Sequence, residues 1–71
     1  MTTYANYNPM SLLNYSFENV DIDKLKKAID EISVHIPCFI GEGYANHITA
    51  VAIQCRTEDA RFVDDTMRRL A

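Results

Sequence analysis

Residues 48–55 of this chain read ITAVAIQC, and this stretch decides between the two folds that the sequence allows. Its density of β-branched residues favours a strand. Apolar residues occupy both alternating sets of positions, which predicts a strand that is central in a sheet or covered on both sides. The alternative is one long helix over residues 47–70, capped by Asn46, because short apolar runs are ambiguous by periodicity alone. That alternative would make the protein an all-α helical hairpin.

An amphipathic helix is predicted over residues 22–35. Its apolar residues recur at helical spacing and form one stripe, which consists of Ile22, Leu25, Ile29, Ile32 and Ile36. Asp21 is the expected N-cap, because its carboxylate can accept the free amide protons of the first turn. Pro37 ends the helix, since the residue before a proline is pushed out of the helical region.

Two shorter segments are predicted to be strands. Leu13, Tyr15 and Phe17 alternate with polar residues, which indicates a half-buried strand over residues 12–18. Residues 38–40 indicate a short apolar strand, and the two glycines of the chain, at positions 41 and 43, then indicate a turn.

A second helix is predicted at the carboxyl end of the chain, with Thr57 as its N-cap. Its buried stripe is expected to contain Phe62, Val63, Met67 and Leu70. Asp64 and Arg68 are spaced as an i,i+4 ion pair on the exposed side of this helix.

The predicted fold class is therefore α+β. A small antiparallel sheet in β-α-β-β-α order carries both amphipathic helices on one face. Residues 9–71 are expected to form this single small domain, and residues 1–8 a flexible N-terminal arm. Three strands leave two open edges, so we expect a homo-oligomer, most simply a dimer that pairs through an edge strand.

Composition argues against several classes of function. The chain has 71 residues and a formal net charge of −3, and neither half is basic, which disfavours nucleic acid as a partner. No apolar run approaches the roughly 20 residues of a membrane span, and the N-terminus lacks the pattern of a signal peptide. We therefore expect a cytoplasmic protein with no membrane partner and with reduced cysteines.

Four side chains could in principle bind a soft metal: His35, Cys38, His47 and Cys55. Their spacing, H-x2-C-x8-H-x7-C, lacks the tight pairs at both ends that a zinc finger uses, so we predict no metal site. A catalytic Cys38 with His35 or His47 as base would need a cleft, for which so short a chain has little room. The sequence thus predicts a protein that is not an enzyme.

No cofactor is predicted either. Residues 41–43 read Gly-Glu-Gly, but the third glycine, the following helix and the lysine of a phosphate-binding loop are missing.

The predicted function is a small non-enzymatic regulator or inhibitor that occludes the surface of a partner protein, of the kind that viruses and mobile elements encode. The first 17 residues carry no charge and are rich in tyrosine, a residue that interfaces favour. The candidate partner-binding residues are Tyr4, Tyr7 and Tyr15 as anchors, with Glu42 and Tyr44 in an exposed turn.

An alternative function is a homo-oligomeric protein that binds a small, nucleotide-like ligand. The site would lie between subunits around residues 41–44, where Tyr44 could stack on a base or ring.

Overall fold

The computed structural model describes residues 9–70, and the predicted arm lies outside them. Its elements in chain order are β1 (Met10–Glu18), α1 (Ile22–His35), β2 (Cys38–Ala45), β3 (Ile48–Arg56), a 3-10 turn (Thr57–Asp59) and α2 (Ala60–Arg68). The α+β class and the β-α-β-β-α order are confirmed. The all-α alternative is wrong, because the stretch that decided between the folds is a strand.

The three strands form one antiparallel sheet in the order β1-β3-β2. Tyr15 of β1 lies opposite Val51 of β3, and Val51 in turn lies opposite Glu42 of β2. The β-branched strand β3 is therefore central, as the sequence predicted, and hydrogen-bonds on both sides.

Helix α1 has the predicted bounds, and its ends follow from local chemistry. A side-chain oxygen of Asp21 accepts the backbone N–H groups of Asp23 and Lys24, at 3.0 and 3.4 Å. At the other end, Ile36 is extended, with φ −140° and ψ 152°, because Pro37 follows it. The stripe of α1 buries Leu25 and Ile32 completely.

The core lies on one face of the sheet, which we call the inner face. Both helices pack on it, and the outward-pointing side chains of the strands take no part. The buried apolar residues are Leu25, Ala28, Ile32, Val51, Ile53, Cys55, Val63 and Met67. Residues 9–70 thus form two layers, with the described helices covering one side of the sheet.

The hairpin between β2 and β3 differs from the prediction. Strand β2 continues to Ala45, and the turn consists of Asn46 and His47. Asn46 has φ 56°, a left-handed conformation that asparagine tolerates. Neither glycine of the chain has a positive φ. Glu42 and Tyr44 therefore lie in a strand, and their predicted place in a turn is wrong.

The start of α2 also differs from the prediction. Thr57 does not cap the helix, because it begins the 3-10 turn that precedes Ala60 and its hydroxyl is hydrogen-bonded to that of Ser11, at 2.8 Å. Asp59, at the N-cap position, makes no capping bond and instead accepts a hydrogen bond from Arg56, at 3.2 Å.

Candidate docking surface

The sheet has a second face, which we call the outer face. Successive side chains of a strand point to opposite sides, so the residues that alternate with the core positions point outward. They are Met10, Leu12, Asn14, Ser16 and Glu18 of β1, Phe39, Gly41, Gly43 and Ala45 of β2, and Ile48, Ala50, Ala52, Gln54 and Arg56 of β3. Among the described residues, no helix packs on this face.

Large apolar side chains stand at one end of the outer face. Leu12 is 63% exposed and Phe39 is 72% exposed. Both lie opposite Gln54, from either side, so the three form one row across the sheet. Such an exposed apolar row beside an apolar sheet is typical of an interaction surface.

The next two rows of the outer face carry only glycine and alanine on strands β2 and β3, and Asn14 and Ser16 on β1. Gly41 lies opposite Ala52, and Gly43 lies opposite Ala50. A Cβ atom added at either glycine would meet nothing within 4 Å. Neither backbone conformation nor internal packing therefore requires glycine here, although glycine weakens a strand. A glycine in a strand often marks the close approach of a ligand or of another backbone.

Charge is confined to the two ends of the outer face. Glu18 at one end lies 3.1 Å from Nε2 of His47, and Arg56 at the other end pairs with Asp59 at 3.2 Å. The positions between them are uncharged. Burial of this surface would therefore desolvate little charge.

Tyr15, one of the predicted anchors, lies on the inner face at the edge of the core. It stacks on Phe17 with ring centroids 6.3 Å apart, and its hydroxyl donates to Oδ1 of Asp64 at 2.8 Å. An open groove of about 410 Å³ runs between β1 and α2 beside these residues. Its lining includes Leu13, Tyr15, Phe17, Asp64, Met67 and Arg68.

The polar groups of this groove shift one another's pKa values. The hydrogen bond from Nε of Arg68, at 2.6 Å, and the one from Tyr15 lower the pKa of Asp64. Partial burial and the bond to the Asp64 carboxylate raise the pKa of Tyr15. Tyr15 is thus engaged within its own chain.

Glu42 and Tyr44 lie together on the exposed half of β2. The hydroxyl of Tyr44 donates to Oε1 of Glu42, and this bond raises the pKa of Tyr44. Both point to the inner side of the sheet, whereas Gly41 and Gly43 point to the outer side. The structure therefore does not bring residues 41–44 together into one site. Of the remaining predicted anchors, Tyr4 and Tyr7 lie outside the described residues.

The candidate metal ligands lie at both ends of the sheet. His47 is in the hairpin turn, whereas Cys38 and Cys55 lie at the far ends of β2 and β3. Nδ1 of His35 is 2.8 Å from the carbonyl oxygen of Glu31. Within residues 9–70, no three histidine, cysteine or carboxylate side chains form a group that could hold a metal ion.

The outer face was not predicted from the sequence as a candidate site. Leu12 and Phe39 were not among the predicted site residues, and the glycines were predicted to lie in a turn. One signal was present in the sequence: both faces of β3 are apolar, yet the structure covers only one of them.

None of the helices that the structure describes is long and apolar enough to cross a membrane. Comparison of the chain with protein-family models, with curated proteins and with solved structures finds no match.

Proposed function

We propose that this protein is a non-enzymatic regulator that binds a partner protein through its outer face and thereby occludes the partner's surface. The observation that carries the proposal is the outer face, on which none of the described helices packs. It combines an exposed apolar row, at Leu12 and Phe39, with glycines that the chain does not need for its own fold.

The size of the outer face argues against a second copy as its stable occupant. Three strands about 4.8 Å apart and about eight residues long give a flat area of roughly 14 by 27 Å. Each partner in a stable interface buries about 800 Å², which is roughly twice that area. Two copies meeting face to face would have their helices on the far sides, where they could add nothing. A larger partner can extend beyond the face and contact its rim.

The shape of the outer face, a trough between two rows of larger side chains, favours docking of an amphipathic helix of the partner protein. The low rows of glycine and alanine lie between the row of Leu12 and Phe39 and the row of Ile48. Rows on one face are about 7 Å apart along a strand, so this trough is about 20 Å wide. It accepts a helix about 10 Å in diameter, whose apolar stripe would meet the small residues.

The experiment compares three single variants with the wild-type protein as tagged baits in a lysate of the native host. Phe39→Ser removes the exposed ring, and Gly43→Val fills the trough at a position where an added Cβ atom meets nothing within 4 Å. Val34→Ser is the matched control, because Val34 is 81% exposed but lies on α1. We expect one protein to be retained by the wild type and by Val34→Ser, and lost by both outer-face variants. A peptide of its docking helix should bind the purified chain with the same order of preference.

Two results would contradict this proposal. One is a partner that the outer-face variants retain as well as the wild type does. The other is a face that self-association fills, seen as a dimer in sedimentation that Phe39→Ser dissociates. Sedimentation of the wild type also tests the predicted homo-oligomer, whose dimer would pair through an edge strand.

The predicted N-terminal arm is tested separately. Deletion of residues 1–8 is expected to abolish partner binding and to leave the fold intact, since Tyr4 and Tyr7 are proposed anchors. Tyr44→Ala tests the exposed end of β2 in the same assay. Unchanged affinity in the truncated protein would contradict the proposed role of Tyr4 and Tyr7.

A further inference from the structure

The two cysteines of the chain are direct cross-strand neighbours. Cys38 of β2 lies opposite Cys55 of β3, and both side chains point to the inner face. Both are free thiols. They are 17 positions apart in the sequence.

The register gives this pair the geometry that a disulfide requires. Ala45 and Ile48 flank a two-residue turn, where the flanking residues form a hydrogen-bonded pair. Hydrogen-bonded and non-hydrogen-bonded pairs alternate along an antiparallel ladder, and Cys38 with Cys55, the eighth pair from the turn, is therefore a non-hydrogen-bonded one. Such pairs have Cα atoms about 4.5 Å apart, within the range that disulfides span.

We propose that Cys38 and Cys55 form a reversible intramolecular disulfide by exchange with a low-molecular-weight disulfide such as oxidised glutathione. This inference is independent of the proposed docking function. It assigns a redox role to two residues that otherwise serve only in packing.

The exchange proceeds in two displacements. The thiolate of Cys38 attacks one sulfur of oxidised glutathione, which forms a mixed disulfide and releases one glutathione thiolate. The thiolate of Cys55 then attacks Sγ of Cys38, which closes the protein disulfide and releases the second glutathione. The protein loses two protons and two electrons, and one oxidised glutathione becomes two reduced molecules.

The environments of the two thiols set this order. Cys38 is partly exposed, at the start of an edge strand, so a small disulfide can reach it. Cys55 is fully buried, and burial, with the nearby Asp59 and Cys38, raises the pKa of its thiol. The closing step should therefore accelerate as the pH rises, while Cys38 determines the initial attack.

The test uses the purified full-length chain and oxidised glutathione, with intact mass as the readout. We expect the native wild type to lose two hydrogen atoms and to retain no glutathione. Cleavage after glutamate without reduction should then yield peptide 32–42 joined to peptide 43–58, because Glu42 separates the two cysteines. Closure in strong denaturant should be slower, since there the pair is no longer held in register.

Two variants make the order of steps testable. Cys55→Ala should accumulate the mixed disulfide on Cys38, and Cys38→Ala should react only slowly, because Cys55 is buried. Cys38→Ala lies at a partly exposed position and keeps the core intact, so its result does not depend on the fold of the Cys55 variant. A wild type that keeps two bound glutathiones, that forms only intermolecular disulfides or that does not react would overturn the inference.

Discussion

The hydroxyl of Tyr15 donates a 2.8 Å hydrogen bond to Oδ1 of Asp64 and so joins the edge strand β1 to helix α2. Oδ2 of the same carboxylate accepts from Nε of Arg68 at 2.6 Å. One carboxylate thus holds a group from the sheet and a group from its own helix. The arrangement is a tertiary contact between residues 49 positions apart, and it closes one side of the groove.

The first prediction is that Tyr15→Phe lowers stability between about pH 5 and pH 9 and that this loss shrinks outside that window. The lowered pKa of Asp64 contributes stability above the unfolded value, about 3.9, and the contribution disappears as the pH falls through the folded pKa. The raised pKa of Tyr15 contributes below about pH 10 and is lost as the pH rises through the folded pKa. Urea midpoints measured across the pH range test both the loss at low pH and the loss at high pH.

Tyr44→Phe is the control for this first prediction, because its hydroxyl bonds Glu42 at an exposed end of β2. Solvent screens such a pair, so the variant should change the urea midpoint less than Tyr15→Phe does. If the urea midpoint of Tyr15→Phe runs parallel to that of the wild type at all pH values, the Tyr15–Asp64 hydrogen bond does not contribute stability as proposed.

The second prediction concerns Gly43→Ala, which should stabilise the fold and weaken binding of the partner. A Cβ atom at this position meets nothing within 4 Å, and an alanine loses less backbone entropy on folding, which is worth about 0.5–1 kcal/mol. The same methyl group occupies the trough of the outer face. Denaturant unfolding and affinity for the captured partner measure the two effects. Equal affinity, together with higher stability, would show that the glycine does not serve docking.

The third prediction is that Thr66→Val stabilises the protein by about 1 kcal/mol, because a buried hydroxyl without a partner costs free energy. Thr66 is 2% exposed, and its Oγ1 has no hydrogen-bond partner among the described residues. Thr66→Ser is the control, since it keeps the hydroxyl and removes a buried methyl group, at a cost of about 1 kcal/mol. Thermal and urea unfolding of both variants measure these two changes in stability. A destabilised Thr66→Val would contradict the prediction and indicate that the hydroxyl has a hydrogen-bond partner.

The fourth prediction is that the oxidised protein unfolds at higher urea concentration than the reduced protein. A disulfide that closes a loop of about 15 residues stabilises by about 3 kcal/mol, chiefly through the entropy of the unfolded chain. The loop between Cys38 and Cys55 is of this size. Comparison of the two redox states of one preparation measures the effect directly. An oxidised form that is less stable would indicate that the cross-link strains the sheet.

Much of the fold was predictable because its signals are local. Asp21 and Pro37 bound a stripe with helical period, and α1 has the bounds that they indicate. The β-branched run over residues 48–55 identified the central strand. The i,i+4 spacing of Asp64 and Arg68 also predicted their ion pair, which the structure contains. Each of these depends on residues within a few positions of one another.

The first residue of α2 and the last residue of β2 could not be predicted from local signals. Thr57 looks like an N-cap, but its hydroxyl bonds Ser11, which strand pairing brings beside it from 46 positions away. The two glycines look like a turn, but pairing with β3 extends β2 through both of them to Ala45. In both cases a long-range contact outweighed a local preference.

The amino-acid sequence by itself determined the elements: the helix of residues 22–35, the central strand and the α+β class, because periodicity and capping act over a few residues. Only the tertiary structure decided which residues share a surface. Strand register sends Gly41 and Gly43 to the bare outer face with Phe39, and Glu42 and Tyr44 to the opposite side. It also sets Cys38 against Cys55. Register depends on how distant strands pair, and pairing places side chains in two rows that the linear order does not reveal.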